Sequence, residues 1–160
     1  MEILDLEDYP IYVGDIGESL PALLDKVSFS ALFVLVDENT RRHCLPRVLP
    51  LLPAGIPLEI LEIPSGEIHK NIATCQNIWE MLLRAGADRQ ALMLNLGGGV
   101  IGDMGGFCAA TFKRGIRFVQ MPGTLLSQVD ASIGGKLGID FGEVKNSIGV
   151  FQNPLAVFVD

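Results

Sequence analysis

Short unbroken apolar runs alternate along this chain with longer stretches in which apolar residues recur every three to four positions. Ala31–Val36 (ALFVLV) is such a run, the pattern of a parallel strand buried on both faces, and it ends at Asp37. Asn39 then stands where it can cap a helix with apolar positions Leu45, Val48, Leu49 and Leu52, and Pro46 makes that helix start late or irregularly. Leu58–Ile63 predicts a second strand, closed by Pro64-Ser65-Gly66. Ile72, Cys75, Ile78, Trp79, Leu82 and Leu83 keep an i, i+3, i+4 rhythm that predicts an amphipathic helix ending near Gly86. Ala91–Leu96, Phe118–Met121 and Ala156–Val159 read as three further strands. Strands alternating with helices of about ten to fifteen residues predict an α/β fold, a Rossmann-like, largely parallel sheet with flanking helices.

The chain has 160 residues, 49% of them apolar and 19% charged, which suits one packed domain and excludes a disordered segment. The 18 glycines follow no period, so the chain is not collagenous. A net charge of −7 excludes a nucleic-acid binder held by bulk charge. That charge lies mostly in residues 1–62, with eleven acids against four bases, while Val100–Asp160 holds five of each. The neutral, glycine-rich half is therefore the one able to accept an anionic ligand. Cys44, Cys75 and Cys108 lie far apart with no CxxC pair, which predicts neither a disulfide framework nor a zinc site and suits a reducing cytoplasm. MEILDLEDYP is acidic and lacks an apolar signal core, and the apolar stretch Ala91–Phe112 is interrupted by Asn95, Asp103 and six glycines. Gly98, Gly102 and Gly106 keep a GxxxG spacing, but strand, phosphate loop and helix account for the same residues, so no membrane span is expected. The chain stops at Asp160 directly after an apolar run, which suggests a domain cut from a longer protein.

Gly97, Gly99 and Gly102 satisfy G-x-G-x-x-G between a predicted strand and a predicted helix. There glycine lets the backbone approach a pyrophosphate, and the helix start favours its negative charge. Glycine clusters also serve tight helix–sheet packing, and the next strand, Val119-Gln120-Met121-Pro122, lacks the acid that ordinarily binds ribose. Asp37 can take that place if the sheet is wired differently; otherwise it is a helix cap. Gly66-Glu67-Ile68-His69-Lys70 lies at the carboxyl end of a strand, where open α/β sheets bind ligands, although such a loop is more often a solvated turn. In Asp130-Ala131-Ser132-Ile133-Gly134-Gly135-Lys136, two glycines precede a lysine able to meet phosphate, but Leu137 stands where a Walker A loop has Ser or Thr. Together with Lys113, Arg114, Lys145 and Asn146, these groups suggest a ligand with several hydroxyls and an acidic group. His43 and His69 are in no metal-ligand spacing, and Gly-x-Ser-x-Gly does not occur.

GGGVIGDMGGF, FKRGIRFVQMPGTLLSQVDASIGGKLG and KNSIGVFQNPLAVFVD, in this order, resemble the 3-dehydroquinate synthase family of the shikimate pathway, with VDEN and GEIHK resembling its upstream cofactor segments. The resemblance covers essentially the whole chain and corresponds to the family's amino-terminal NAD-binding domain, over residues 1–160. The family's helical carboxyl-terminal domain, with its metal-binding glutamate and two histidines, has no counterpart here. The resemblance implies a carbon–oxygen lyase using NAD and a divalent metal (zinc or cobalt), acting on 3-deoxy-D-arabino-heptulosonate 7-phosphate. It implies a cytoplasmic homodimer with a phosphorylated sugar-acid substrate and no nucleic-acid or membrane partner.

Carried over by position, Asp37 and Asn39 are adenosine-side contacts, and Glu67 and Lys70 ribose- and nicotinamide-side contacts. Gly98, Gly99, Val100 and Asp103 are implied to hold the pyrophosphate region beside Gly123 and Thr124. Asp130, Lys136 and Asn146 are implied to bind substrate, Lys136 and Lys145 to serve the cofactor too, and Arg114 to reach substrate phosphate from a dimer partner. The chain departs from the family at Gly123, where a threonine is usual, at Leu137 after Gly134-Gly135-Lys136, and at Asn95 before the glycines. Related sugar-phosphate cyclases share much of this block. Two further readings are a metal-dependent alcohol or glycerol dehydrogenase, less well matched by GGGVIGD, and an NAD-binding module without turnover.

Overall fold

The computed structural model describes residues 2–5, 9–122 and 135–159. Gly123, Thr124 and Asp130 therefore lie outside the described residues.

The strands in chain order are β1 (Glu2–Asp5), β2 (Pro10–Val13), β3 (Leu32–Asp37), β4 (Leu58–Ile63), β5 (Leu92–Gly97), β6 (Arg117–Pro122), β7 (Lys136–Phe141), β8 (Val144–Phe151) and β9 (Ala156–Val159). The helices are α1 (Ile16–Lys26), α2 (Glu38–His43), α3 (Leu45–Val48), α4 (Ile72–Arg84) and α5 (Gly99–Thr111). Among the described residues, seven strands form one sheet in the order β1-β2-β9-β6-β5-β3-β4, with β7 and β8 as a separate antiparallel pair. The β1–β2 pair is antiparallel, and every other pairing in the large sheet is parallel. The α/β, largely parallel architecture expected from the sequence is the one observed.

The apolar runs are continuous because both faces of the sheet are covered. Phe33, Leu35, Met93 and Phe118 point to one face and pack with α4 and α5 through Cys75, Ile78, Leu82, Ile101 and Met104. Leu32, Val34, Val36, Leu92 and Leu94 point to the other and meet Ile16, Leu20 and Leu24 of α1 and Leu45 and Val48 of α3. A third layer lies outside α5, where Leu137 and Ile139 of β7 join the first cluster. Helix α5 is thus enclosed between sheet and hairpin, which explains why Ala91–Phe112 is apolar almost throughout. A Cβ at Gly106 would run into the Leu137 side chain, and one at Gly105 into Asn95 and Leu35.

Three stretches differ from the sequence expectation. Asp37, not Asn39, caps the helix after β3: its Oδ1 accepts from the backbone N–H groups of Asn39 and Thr40, both at 2.8 Å. The helix expected over Leu45–Leu52 is split into α2, α3 and a 3-10 turn at Leu49–Leu51, because Pro46 and Pro50 each lack a backbone donor. Helix α1 is missing from the sequence reading because Pro21 lies inside it; Asp15 caps it and Leu20 and Leu24 are buried. The β7–β8 hairpin was masked by glycines, of which Gly138 and Gly149 are opposite each other across the ladder.

Candidate functional site

Ligands of open α/β sheets lie outside the carboxyl ends of the strands, where adjacent strands send their connections to opposite faces. Here that point lies between β3 and β5, since β3 leads into the α3 layer and β5 into α5 on the other side. The two are hydrogen-bonded neighbours with Leu35 beside Asn95, so Asp37 ends its strand beside Gly97. This is the different wiring that an acid at Asp37 requires. The Asp37 side chain is engaged as a cap, and Asn39 is exposed beside it.

Gly98 begins α5 without a side-chain cap. The backbone N–H groups of Gly99, Val100 and Ile101 precede the first intrahelical bond, which Gly102 N makes to Gly98 O at 3.0 Å. Among the described residues, a Cβ built at Gly99 meets nothing within 4 Å, so they leave space beside this end of the helix.

Among the described residues, Lys70 is the charged residue buried most deeply, at 4% exposure. The chain turns after β4 through Gly66, at φ 109°, and a 3-10 turn at Glu67–His69, before Asn71 caps α4 by accepting from Thr74 N at 3.0 Å. This turn drives Lys70 inward. Its Nζ donates to Asp103 Oδ2 at 2.9 Å and to Asn146 Oδ1 at 2.6 Å. Asp103 stands on the second turn of α5, and Asn146 on β8 in the left-handed region, at φ 51°. Burial pushes the Asp103 carboxyl above the usual aspartate range, while the Lys70 hydrogen bond and charge pull it back.

Asp140 was missed in the sequence, where it is one acid in a glycine-rich stretch. Its Oδ1 accepts from Asn146 N at 2.8 Å, and its own N–H donates to Lys70 O at 2.9 Å. Burial and then the neighbouring Asp140 carboxylate raise the Glu67 carboxyl, with Lys70 and Lys145 opposing. Burial likewise pushes Asp140 up, but the Asn146 N–H, Glu67, Lys70 and Lys145 together hold it below the ordinary range.

A second missed pair is Asn95 and Gln120, opposite each other on β5 and β6 and both buried. Asn95 Nδ2 donates to Gln120 Oε1 at 3.2 Å, and Gln120 Nε2 to the Gly102 carbonyl at 3.0 Å, which fixes the first turn of α5 against the sheet. A single amide inside each of two apolar strands was the available signal.

The structure thus gathers Glu67, Lys70, Gly98, Gly99, Val100, Asp103, Lys145 and Asn146 at one end of the sheet, with Asp37 across the switch point. Lys136 is exposed at the open end of the hairpin, about 13 Å along β7 from Asp140 at the usual strand rise. Arg114 lies at the opposite end of α5, about 20 Å from Gly99 at 1.5 Å per residue, so it does not join this group. Lys113 and Arg114 both have positive φ, 48° and 71°, and Arg114 lines a cleft of about 480 Å³ with Arg117 and Asn153. Among the described residues no three His, Cys, Asp or Glu side chains are grouped to hold a metal ion, and no helix is long and apolar enough to cross a membrane.

Sheet, switch point and uncapped glycine turn define an α/β domain of the Rossmann-like class. More narrowly, the chain belongs to the family described as 3-dehydroquinate synthase N-terminal, whose model matches residues 60–160. A 3-dehydroquinate synthase from Parabacteroides distasonis is 44% identical over 154 residues, covering 96% of this chain and 43% of the relative. The chain thus spans less than half the length of that relative. A 2-epi-5-epi-valiolone synthase from Streptomyces hygroscopicus, solved with NAD+ and Zn2+ bound, superposes with a TM-score of 0.83 at 28% identity, over 100% of this chain and 45% of that one. A 2-deoxy-scyllo-inosose synthase complexed with carbaglucose-6-phosphate, NAD+ and Co2+ shares the fold with a TM-score of 0.90 at 24% identity, over 99% and 45%.

Proposed function

We propose that this chain is the NAD-binding half of a 3-dehydroquinate synthase, a carbon–oxygen lyase converting 3-deoxy-D-arabino-heptulosonate 7-phosphate to 3-dehydroquinate and phosphate. The observation that carries this reading is the buried Lys70, held between Asp103 and Asn146 beside an open, uncapped helix start. A dinucleotide fits these residues: among the described residues nothing lies within 4 Å of a Cβ at Gly99, and a small apolar slot of about 120 Å³ beyond the switch point is bounded by Cys44, Arg47, Leu96, Met121 and Phe158.

Gly98, Gly99 and Val100 would hold the diphosphate through backbone N–H groups, with Gly123 and Thr124 following. Asp37 and Asn39 would meet the adenosine ribose. Glu67, Lys70 and Asp103 would bound the nicotinamide side, where the buried ion pair keeps bulk water away from the reacting carbon. A dinucleotide held here would supply reversible oxidation at the C5 alcohol: the ketone state would acidify the neighbouring proton for phosphate elimination, and the later re-reduction would leave no net redox change. Asp130 and Asn146 would orient substrate hydroxyls, while Lys136 and Lys145 steady the departing phosphate and the cofactor. Arg114, at the far end of α5, suits service to a neighbouring subunit, as in a homodimer. The zinc or cobalt of such an enzyme would be held by its second half. Three unpaired cysteines suit a cytoplasmic setting.

Calorimetric titration of this chain with NAD+ tests the reading. Saturable binding weakened by Lys70→Ala and by Asp103→Ala is expected, and binding indifferent to both would reject it. A second reading, another sugar-phosphate cyclase, is favoured by the likeness to the valiolone synthase. Phosphate release by the full-length protein from the heptulosonate phosphate, compared with other seven-carbon phosphates, decides between the two.

A further inference from the structure

Lys70 is held from the hairpin at both of its ends. Its backbone carbonyl accepts from the Asp140 N–H at 2.9 Å, and its ammonium donates to Asn146 Oδ1 at 2.6 Å. The two tethers are joined, because Asp140 Oδ1 accepts from Asn146 N at 2.8 Å. Asn146 has φ 51°, a conformation that non-glycine residues keep when their surroundings hold them there. The β7–β8 pair also shifts register between Ile139 and Phe141, so the ladder alone does not fix Asn146 opposite Asp140. What fixes it is the carboxylate.

We propose that Asp140 is a positioning residue of this site: its carboxylate sets the left-handed backbone of Asn146, and its N–H ties the hairpin to the Lys70 loop, so that Lys70 meets bound dinucleotide in one orientation. The inference rests on the dinucleotide reading above for its consequence, but its geometric core does not depend on it. Asp140 touches neither the open glycine turn nor Asp103 through any hydrogen bond among the described residues, so it acts through Lys70 and Asn146. The charged groups facing it are Glu67, Lys70, Lys145 and Asp103.

The test uses this chain with Asp140→Ala, Asp140→Asn, Asn146→Ala and the double variant Asp140→Ala/Asn146→Ala, circular dichroism showing which are folded. Two quantities are read, amide hydrogen exchange at Asn146 and NAD+ affinity by calorimetry. Asp140→Ala is expected to speed Asn146 exchange and to weaken NAD+ binding about tenfold, the effect of one lost charge-assisted hydrogen bond. Asp140→Asn keeps an oxygen that can accept from Asn146, so both quantities should return to within about threefold of the native chain. In the Asn146→Ala background, Asp140→Ala should add little. Native affinity in Asp140→Ala, additive losses in the double variant, or no rescue by Asp140→Asn would each overturn the proposal. If the native chain does not bind NAD+, the dinucleotide reading fails by itself. Positioning is then decided by exchange alone: faster exchange at Asn146 in Asp140→Ala with recovery in Asp140→Asn supports it, and unchanged exchange overturns it.

Discussion

Lys70 and Asp103 carry opposite charges into a region where neither is well solvated, with exposures of 4% and 22%. Breaking such a pair leaves the surviving charge without its partner, which costs more than the pair gains over an apolar substitute. Lys70→Met is therefore expected to destabilise the chain by roughly 2–3 kcal/mol, discounted for the partial exposure of Asp103, and to raise the Asp103 carboxyl further. Urea unfolding checks the first effect and carboxyl NMR the second. Glu67 and Asp103 both have raised carboxyls, burial being the first cause in each. Between the ordinary and the raised values the folded chain keeps protons that the unfolded chain releases, so their contribution is complete at low pH and lost as pH rises through the raised values. Asp88 and Glu38 act in the opposite sense, through hydrogen bonds from Ser30 and Ser65 respectively, but below their ordinary values. Upward from the ordinary glutamate value the urea midpoint should therefore fall as these two carboxyls ionise, and Asp140→Asn, by removing the carboxylate beside Glu67, should bring the Glu67 titration back toward the usual glutamate range. A midpoint that falls on acidification would reverse this assignment of signs.

At the scale of elements, the glycines of α5 divide into two kinds. Gly99 faces open space, so Gly99→Ala should leave stability within about 0.5 kcal/mol while a methyl group at the mouth weakens NAD+ binding at least about tenfold. Gly106 faces Leu137, so Gly106→Ala should push the hairpin away and cost about 1–3 kcal/mol, read by thermal unfolding. G-x-G-x-x-G spacing does not separate these roles, because Gly106 is outside the motif and its partner lies 31 positions along the chain. The strands β3, β5, β6 and β9 were legible because burial on both faces leaves a nearly unbroken apolar record, and the edge strand β4 through Leu58, Ile60, Leu61 and Ile63. Helix α1 and the hairpin were not, since Pro21 and the facing glycines Gly138 and Gly149 are signs of turns until their partners are known.

For the whole molecule, the fold places every described part of the candidate site except Arg114 and Lys136 at the carboxyl ends of β3, β4 and β5 or on the turn end of the hairpin. The chain spans 43% of the Parabacteroides relative, and its described residues offer no grouped metal ligands. By itself it should release no phosphate from the heptulosonate phosphate even with NAD+ and Zn2+, and turnover by the purified chain would refute this. The order of residues determined the alternation of strands and helices, the glycine turn after β5 and the residue types of the site, because burial, backbone freedom and charge are properties of single residues and their near neighbours. The tertiary structure decided that β3 lies beside β5, which brings Asp37, the cap of α2, to the switch point. It also decided that Lys70 meets Asp103, 33 positions away, and Asn146, 76 positions away, since only the folded sheet, helix and hairpin close such distances.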